Sequence, residues 1–276
     1  MSIYRRLSWI SLILGVWIFY GPLFPQEYIY EKDCFSIKNN ESLKGLSMLR
    51  PYDLFPARLV ASDSDDKSEG MAWSTSYFPN PFNVPLLKAR PKGGEKEIEW
   101  VRQTCAFNAY RVQDKWSSTF WCTGQGKAIG EVVASDIDID RSIFYILPGN
   151  IQGKFKKYFA YSRPHEIDVH YLVPKNVGKG VGRGTIFSDF VYLGKQRVEL
   201  PDKPGYQKIE IKNYKEIVEF ANKFKNTRLS GNYIVVAIEF ISIYEGNDPK
   251  LKEHTCVSEI TNFLKDSEYE KYNNLK

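Results

Sequence analysis

The sequence predicts an all-β protein, an antiparallel β-sandwich carrying one short inserted helix. Three observations support this. From residue 97 onward, short apolar–polar alternations follow one another with turn residues at close intervals, the rhythm of a sandwich. Eighteen Tyr and 17 Phe raise the aromatic fraction to 15%, and these side chains suit pleated surfaces better than helices. Only one stretch has helical periodicity: Ile217, Phe220, Ala221 and Phe224 recur at i, i+3, i+4, i+7 within residues 214–225. The 276 residues suffice for one sandwich with extensions or for two small domains, and 43% hydrophobic with 26% charged residues allows an ordinary core.

The elements follow in chain order. Arg5 and Arg6 precede an apolar run, Leu7 to Phe19, interrupted by Ser8 and Ser11 and ended by Gly21, Pro22 and Pro25. Residues 1–25 therefore read as an export signal or, if uncleaved, an N-terminal anchor; the run is short for a membrane span. There is no Ala-x-Ala cleavage site, and Cys34 lies too far on for lipidation. Residues 26–56 are polar and mixed and read as an irregular N-terminal extension. A first short strand is expected at 57–62, followed by the acidic turn 62–66. Pro79, Pro81, Pro85 and Pro91 then forbid a helix or a central strand. Further strands are expected at 128–133, 137–139, 142–147, 166–172, 185–193, 197–200, 207–211 and 233–244. The helix at 214–225 sits between two of these and should cap one end of the sandwich. The domain is placed at 57–264, with a flexible, charged, Asn-rich tail at 265–276.

Net charge is +5, and cleavage near residue 25 would leave 36 basic against 33 acidic residues, or +3. That balance excludes a nucleic-acid footprint. Lys154, Lys156 and Lys157 form a small cluster read as a solvated loop. Catalytic patterns are weak. His165, His170 and His254 lack recognisable partners in sequence, and His170 reads as a surface or half-buried strand residue. Asp136, Asp138 and Asp140 alternate along one strand face, where a glycosidase needs two carboxylates across a cleft. The glycine-rich run at 178–184 precedes a strand, whereas a phosphate-cradling loop needs a helix directly after it. Four cysteines, Cys34, Cys105, Cys122 and Cys256, allow three pairings; no C-x-x-C is present, and an exported chain favours disulfides over metal.

Two separated blocks carry a family resemblance. One contains Asp114-Lys115, Thr119-Phe120-Trp121-Cys122, Gly124, Gly126 and Gly130-Glu131-Val132. The other contains Ile243-Tyr244-Glu245-Gly246 and then Thr255-Cys256-Val257-Ser258-Glu259-Ile260. Between them lie Leu147-Pro148-Gly149-Asn150, Tyr161-Ser162-Arg163-Pro164-His165 and Leu200-Pro201-Asp202 with Gln207-Lys208-Ile209. In order and spacing they resemble the discoidin-like, galactose-binding-like domains, and most closely the NADase-type glycan-binding family. Lys115 stands where that family has Gly, and Val132 where it has an aromatic.

The resemblance implies a jelly-roll sandwich and an exported, non-catalytic carbohydrate-binding module that meets a glycan or glycosylated surface. The alternative is a surface structural or adhesion protein that binds a protein partner through the same sandwich. A membrane would be met only through an uncleaved N-terminus. First and last core strands are neighbours in such domains, which implies a Cys122–Cys256 disulfide and leaves Cys34 with Cys105. A structural calcium ion held by Asp114, Thr119 and Glu259 is implied, since a hard cation wants several oxygens; the alternative is that Asp114 and Thr119 cap a turn and Glu259 forms a salt bridge. Sugar contacts would come from exposed aromatics and polar side chains on loops at one end: Trp73, Tyr77, Trp116, Arg163 and His165. Trp121, inside a strand signature, is expected in the core.

Overall fold

The computed structural model describes residues 41–60, 72–78, 109–113, 119–124, 126, 128–151, 157–179, 185–224, 233–262 and 264. The strands are β1 (Leu54–Val60), β2 (Ala72–Ser74), β3 (Trp121–Cys122), β4 (Val132–Asp138), β5 (Ile143–Pro148), β6 (Arg163–Pro164), β7 (Glu166–Lys179), β8 (Thr185–Glu199), β9 (Gln207–Glu210), β10 (Tyr233–Phe240), β11 (Ile243–Tyr244) and β12 (Cys256–Thr261). Helix α1 spans Tyr214–Lys223, and 3-10 turns run over Glu41–Met48 and Ala109–Val112.

A six-stranded sheet, ordered β1-β8-β7-β10-β4-β2, faces a four-stranded sheet ordered β3-β12-β5-β9, and β11 pairs with β6 beside them. Neighbouring strands pair antiparallel throughout these sheets. From β4 to β12 the chain passes repeatedly from one sheet to the other, which gives the jelly-roll path. The side-chain period of two then decides the packing. Val133 and Ile137 of β4, Ile167, Val169, Tyr171 and Val173 of β7, and Ile234, Val236, Ile238 and Phe240 of β10 point inward. Opposite them, Trp121, Phe144, Ile146, Ile209, Val257 and Ile260 close the same core. Trp121 is fully buried as expected, and its indole N–H donates to the Ser76 carbonyl at 2.8 Å.

The alternate residues of the large sheet face outward, yet many of them are also apolar. Val132, Ala134, Leu172, Phe190, Tyr192, Val235 and Ala237 form a second core under Leu43 and Leu46. The segment expected to be irregular therefore contains a 3-10 turn, Glu41–Met48, whose two leucines are fully buried. Its hydrophobic signal was too short for periodicity to register.

The single predicted helix is present and ends two residues early. Two pairs of expected strands are joined in the structure. Residues 132–138 form one strand, and β8 runs uninterrupted from 185 to 199. Gly194, with φ of 97°, made β8 look like two strands. The register passes from His170 opposite Lys195 to Leu172 opposite Tyr192, so an extra β8 residue is absorbed there as a bulge. A glycine in the left-handed region makes that bulge cheap. β7 and β8 stay paired as far as Lys179 opposite Thr185, and residues 180–184 of the glycine-rich run lie outside the described residues.

Cys122 and Cys256 are disulfide-bonded and lie directly opposite each other where β3 pairs with β12. This is the pairing the resemblance implied, and it ties the opening block to the closing one. Cys34, Cys105, the segment 1–25 and the tail 265–276 lie outside the described residues. Among the described residues, no helix is long and apolar enough to cross a membrane.

Candidate functional site

At the end of the large sheet where β7 begins and β8 and β10 stop, a turn at 157–160 leads through Tyr161 and Ser162 into β6. The turn is fixed by backbone bonds: Asn247 N–H donates to the Phe159 carbonyl at 2.8 Å, Ser162 N–H to the His254 carbonyl at 3.0 Å, and Cys256 N–H to the Ser162 carbonyl at 3.1 Å. Gly246 lets these chains meet. A Cβ there would stand 2.4 Å from the Ala160 carbonyl oxygen and 2.7 Å from the Tyr161 carbonyl carbon.

Arg163 sits at the centre. Its side chain is 4% exposed and donates from Nε and Nη2 to the two oxygens of Asp202, both at 2.8 Å, while Nη1 donates to the Tyr161 carbonyl at 2.8 Å. A buried guanidinium needs this bidentate partner to offset its desolvation. Three rings surround it, with centroids 5.1 Å (Tyr158), 5.2 Å (Phe159) and 6.0 Å (Tyr244) from Cζ. Burial and the neighbouring Asp202 carboxylate push the Tyr158 hydroxyl well above the ordinary phenol range, against the opposing pull of Arg163. Tyr158 is accordingly a neutral, buried support.

Phe159, by contrast, is 43% exposed and meets Tyr158 edge-on at 4.9 Å. Tyr244 is half-buried, and its hydroxyl donates to the Leu200 carbonyl at 3.0 Å. The His165 ring lies 4.4 Å from the Tyr244 ring; its Nε2 is 3.3 Å from Glu199 and its Nδ1 is 3.1 Å from the Ser242 hydroxyl. The side chains of His165 and Asp202 are each 31% exposed, and that of Glu199 is 76% exposed. The result is an aromatic surface, Phe159 with Tyr244, rimmed by solvent-accessible hydrogen-bonding groups and backed by a neutralised Arg–Asp pair.

The structure brings Arg163 and His165 together, but in different roles. His165 reaches solvent, whereas Arg163 is consumed by Asp202 and the Tyr161 carbonyl beneath the rings. Trp73, expected as an exposed loop aromatic, lies on β2 with 3% exposure and packs edge-on against Phe187 at 6.0 Å. Its position on a sheet edge whose outer face is covered makes it a core residue. Tyr77 is half-buried against the main core. Trp116 and Asp114 lie outside the described residues. Thr119 is half-buried two residues before β3, and Glu259 is 1% exposed on β12, two residues after the partner of Trp121. Phe159, Tyr244, Asp202 and Glu199 were not selected from sequence. The adjacent aromatics Tyr158-Phe159 in a turn just before Arg163 were the available signal.

His170 also departs from expectation. It is fully buried, with Nε2 3.0 Å from Glu239 and Nδ1 3.0 Å from the Tyr192 hydroxyl. The strand alternation was read correctly, but the outer face it points to is itself covered.

These features define a class: an antiparallel jelly-roll β-sandwich with an aromatic-and-polar patch at one end of its larger sheet. No protein-family model matches the chain, and no curated protein matches it in sequence. Among solved structures, it is similar to the family 32 carbohydrate-binding module of C. perfringens NanJ in complex with galactose, at 11% identity and a TM-score of 0.32, over 74% of this chain and 96% of that one. It is also similar to a Ruminococcus gnavus GH29 fucosidase in complex with fucose, at 10% identity and a TM-score of 0.27, over 71% of this chain and 25% of that one.

Proposed function

We propose that the protein is an exported, non-catalytic glycan-binding module, and that Phe159, Tyr244, His165, Asp202 and Glu199 form its sugar site. One observation carries this reading: an exposed phenylalanine and a half-buried tyrosine gathered around a buried Arg163 paired with the partly exposed Asp202, with His165 and Glu199 at the rim. A pyranose has an apolar face and a ring of hydroxyls. An aromatic ring accepts the first, and fixed carboxylates and an imidazole read the second. The patch carries two carboxylates against one guanidinium, so it favours neutral sugars over uronic or sialic acids.

The test is a glycan array followed by calorimetric titration of the full chain with the best-bound neutral sugar. Saturable binding that falls about tenfold in Phe159→Ala, with an unchanged melting temperature, is expected. Absence of binding across the array, or equal affinity in Phe159→Ala, sinks the reading. We also propose that Thr119 and Glu259, with Asp114, hold a calcium ion: a hydroxyl and carboxylates are the hard oxygen donors such an ion selects. Bound calcium would fix the approach to β3. Chelated protein that melts at the same temperature would remove the ion from the proposal.

The adhesion reading keeps one observation in its favour. Met48, Tyr52 and Leu54 are 80%, 55% and 60% exposed within a few residues of one another. A pull-down that fails equally in wild type and in Met48→Ser/Leu54→Ser would count against that reading.

A further inference from the structure

On the outer face of the large sheet, at positions the sugar patch does not use, Asp168, His170 and Glu239 gather their ligating atoms within 4.8 Å of one another. Strand register puts them there. Glu239 lies directly opposite Asp168 across β10 and β7, and His170 is the next residue of β7 on the same face. We propose that these three side chains form a binding site for a divalent transition-metal ion of the zinc type.

The donor set is mixed: one imidazole and two carboxylates, the borderline combination that zinc and its neighbours accept with open positions left over. Metal–ligand bonds of about 2.1 Å separate tetrahedral ligand atoms by roughly 3.4 Å. The observed 3.0 Å between His170 Nε2 and Glu239, inside an overall spread of 4.8 Å, therefore requires shifts on the order of an ångström. His170 Nδ1 lies 3.0 Å from the Tyr192 hydroxyl. His170 Nε2 lies 3.0 Å from Glu239. Tyr192 at Nδ1 would hold the ring with Nε2 turned toward the ion. A fixed partner on the remote nitrogen is the usual support of a metal-binding histidine.

Charge points the same way. Asp168 is held by Lys195 at 2.6 Å and by Arg197, which also lies 4.0 Å from Glu166. Three carboxylates, of Asp168, Glu239 and Glu166, face two cations, leaving one negative charge in a cluster where Asp168 and Glu239 are mostly buried. Exchange of Lys195 for a dication would balance three negative with three positive charges. The Lys195 side chain is 39% exposed, so it can withdraw to water and open a route for the ion.

The test uses the full-length, disulfide-bonded chain, stripped with chelator and titrated calorimetrically with Zn²⁺ and, separately, Co²⁺. One ion per chain is expected, with a rise in melting temperature and a cobalt absorption band reporting nitrogen–oxygen ligation. Glu239→Gln should weaken binding about tenfold or more. Lys195→Gln should tighten it severalfold because the competing ammonium is gone. No saturable binding overturns the site. So does binding that neither variant alters, which would place the ion elsewhere. A merely structural ion-pair network predicts that Lys195→Gln lowers the melting temperature and creates no gain in metal affinity.

Discussion

A single charged side chain organises the candidate site, and it does so from below. Arg163 has three of its five N–H donors committed to Asp202 and the Tyr161 carbonyl, and it lies under three rings. What a ligand would meet is Phe159, which Arg163 positions. That turn depends in its own right on Gly246, whose missing Cβ allows the approach to the Ala160 and Tyr161 backbone. Gly246→Ala is expected to push the 157–163 turn away from the 245–248 segment, at about 1–3 kcal/mol. Sugar affinity should fall with it. Denaturant unfolding and sugar titration of the variant check both, and a fully stable variant with native affinity would show that the contact is not needed.

At the scale of elements, the outer face of the large sheet shows how a short segment acquires structural weight. Its apolar residues Leu172, Phe190, Tyr192, Val235 and Ala237 would be exposed without the 3-10 turn that lays Leu43 and Leu46 over them. Leu46→Ala should cost roughly 2–4 kcal/mol, as expected for a fully buried leucine. A stability loss below about 0.5 kcal/mol from urea unfolding would mean the turn is only loosely held. β8 teaches a related lesson. A bulge at Gly194 lets one strand of fifteen residues follow β7 along its length while changing register.

Over the whole molecule, the closing constraint is the disulfide. Cys122 and Cys256 are 134 residues apart in sequence and adjacent in the β3–β12 pair. A cross-link that closes so long a loop removes much unfolded-state entropy, so replacing both cysteines by alanine should lower stability by about 2–5 kcal/mol. Equilibrium unfolding of the double variant measures this, and equal stability would show that strand pairing alone suffices. The same pair holds Ser162 against Cys256, so the alanine variant should also loosen the sugar patch.

The sandwich class, the single helix and most strand positions were legible in the residues, because period-two alternation and turn chemistry are local. The resemblance carried by the ordered blocks around Cys122 and Cys256 also implied that their strands would be neighbours. The site was legible only in part. Arg163 and His165 lie in one short segment and could be singled out. Phe159 belongs to the turn just before Arg163, whereas Asp202 and Tyr244 come from two distant stretches whose meeting depends on how β6, β8 and β11 dock. Exposure followed the same rule: a tryptophan beside a loop and a histidine in an alternating strand look available in sequence, yet Trp73 and His170 are covered by segments distant along the chain. Local pattern sets which way a side chain points; only the packed tertiary structure decides whether water or another layer of protein waits there.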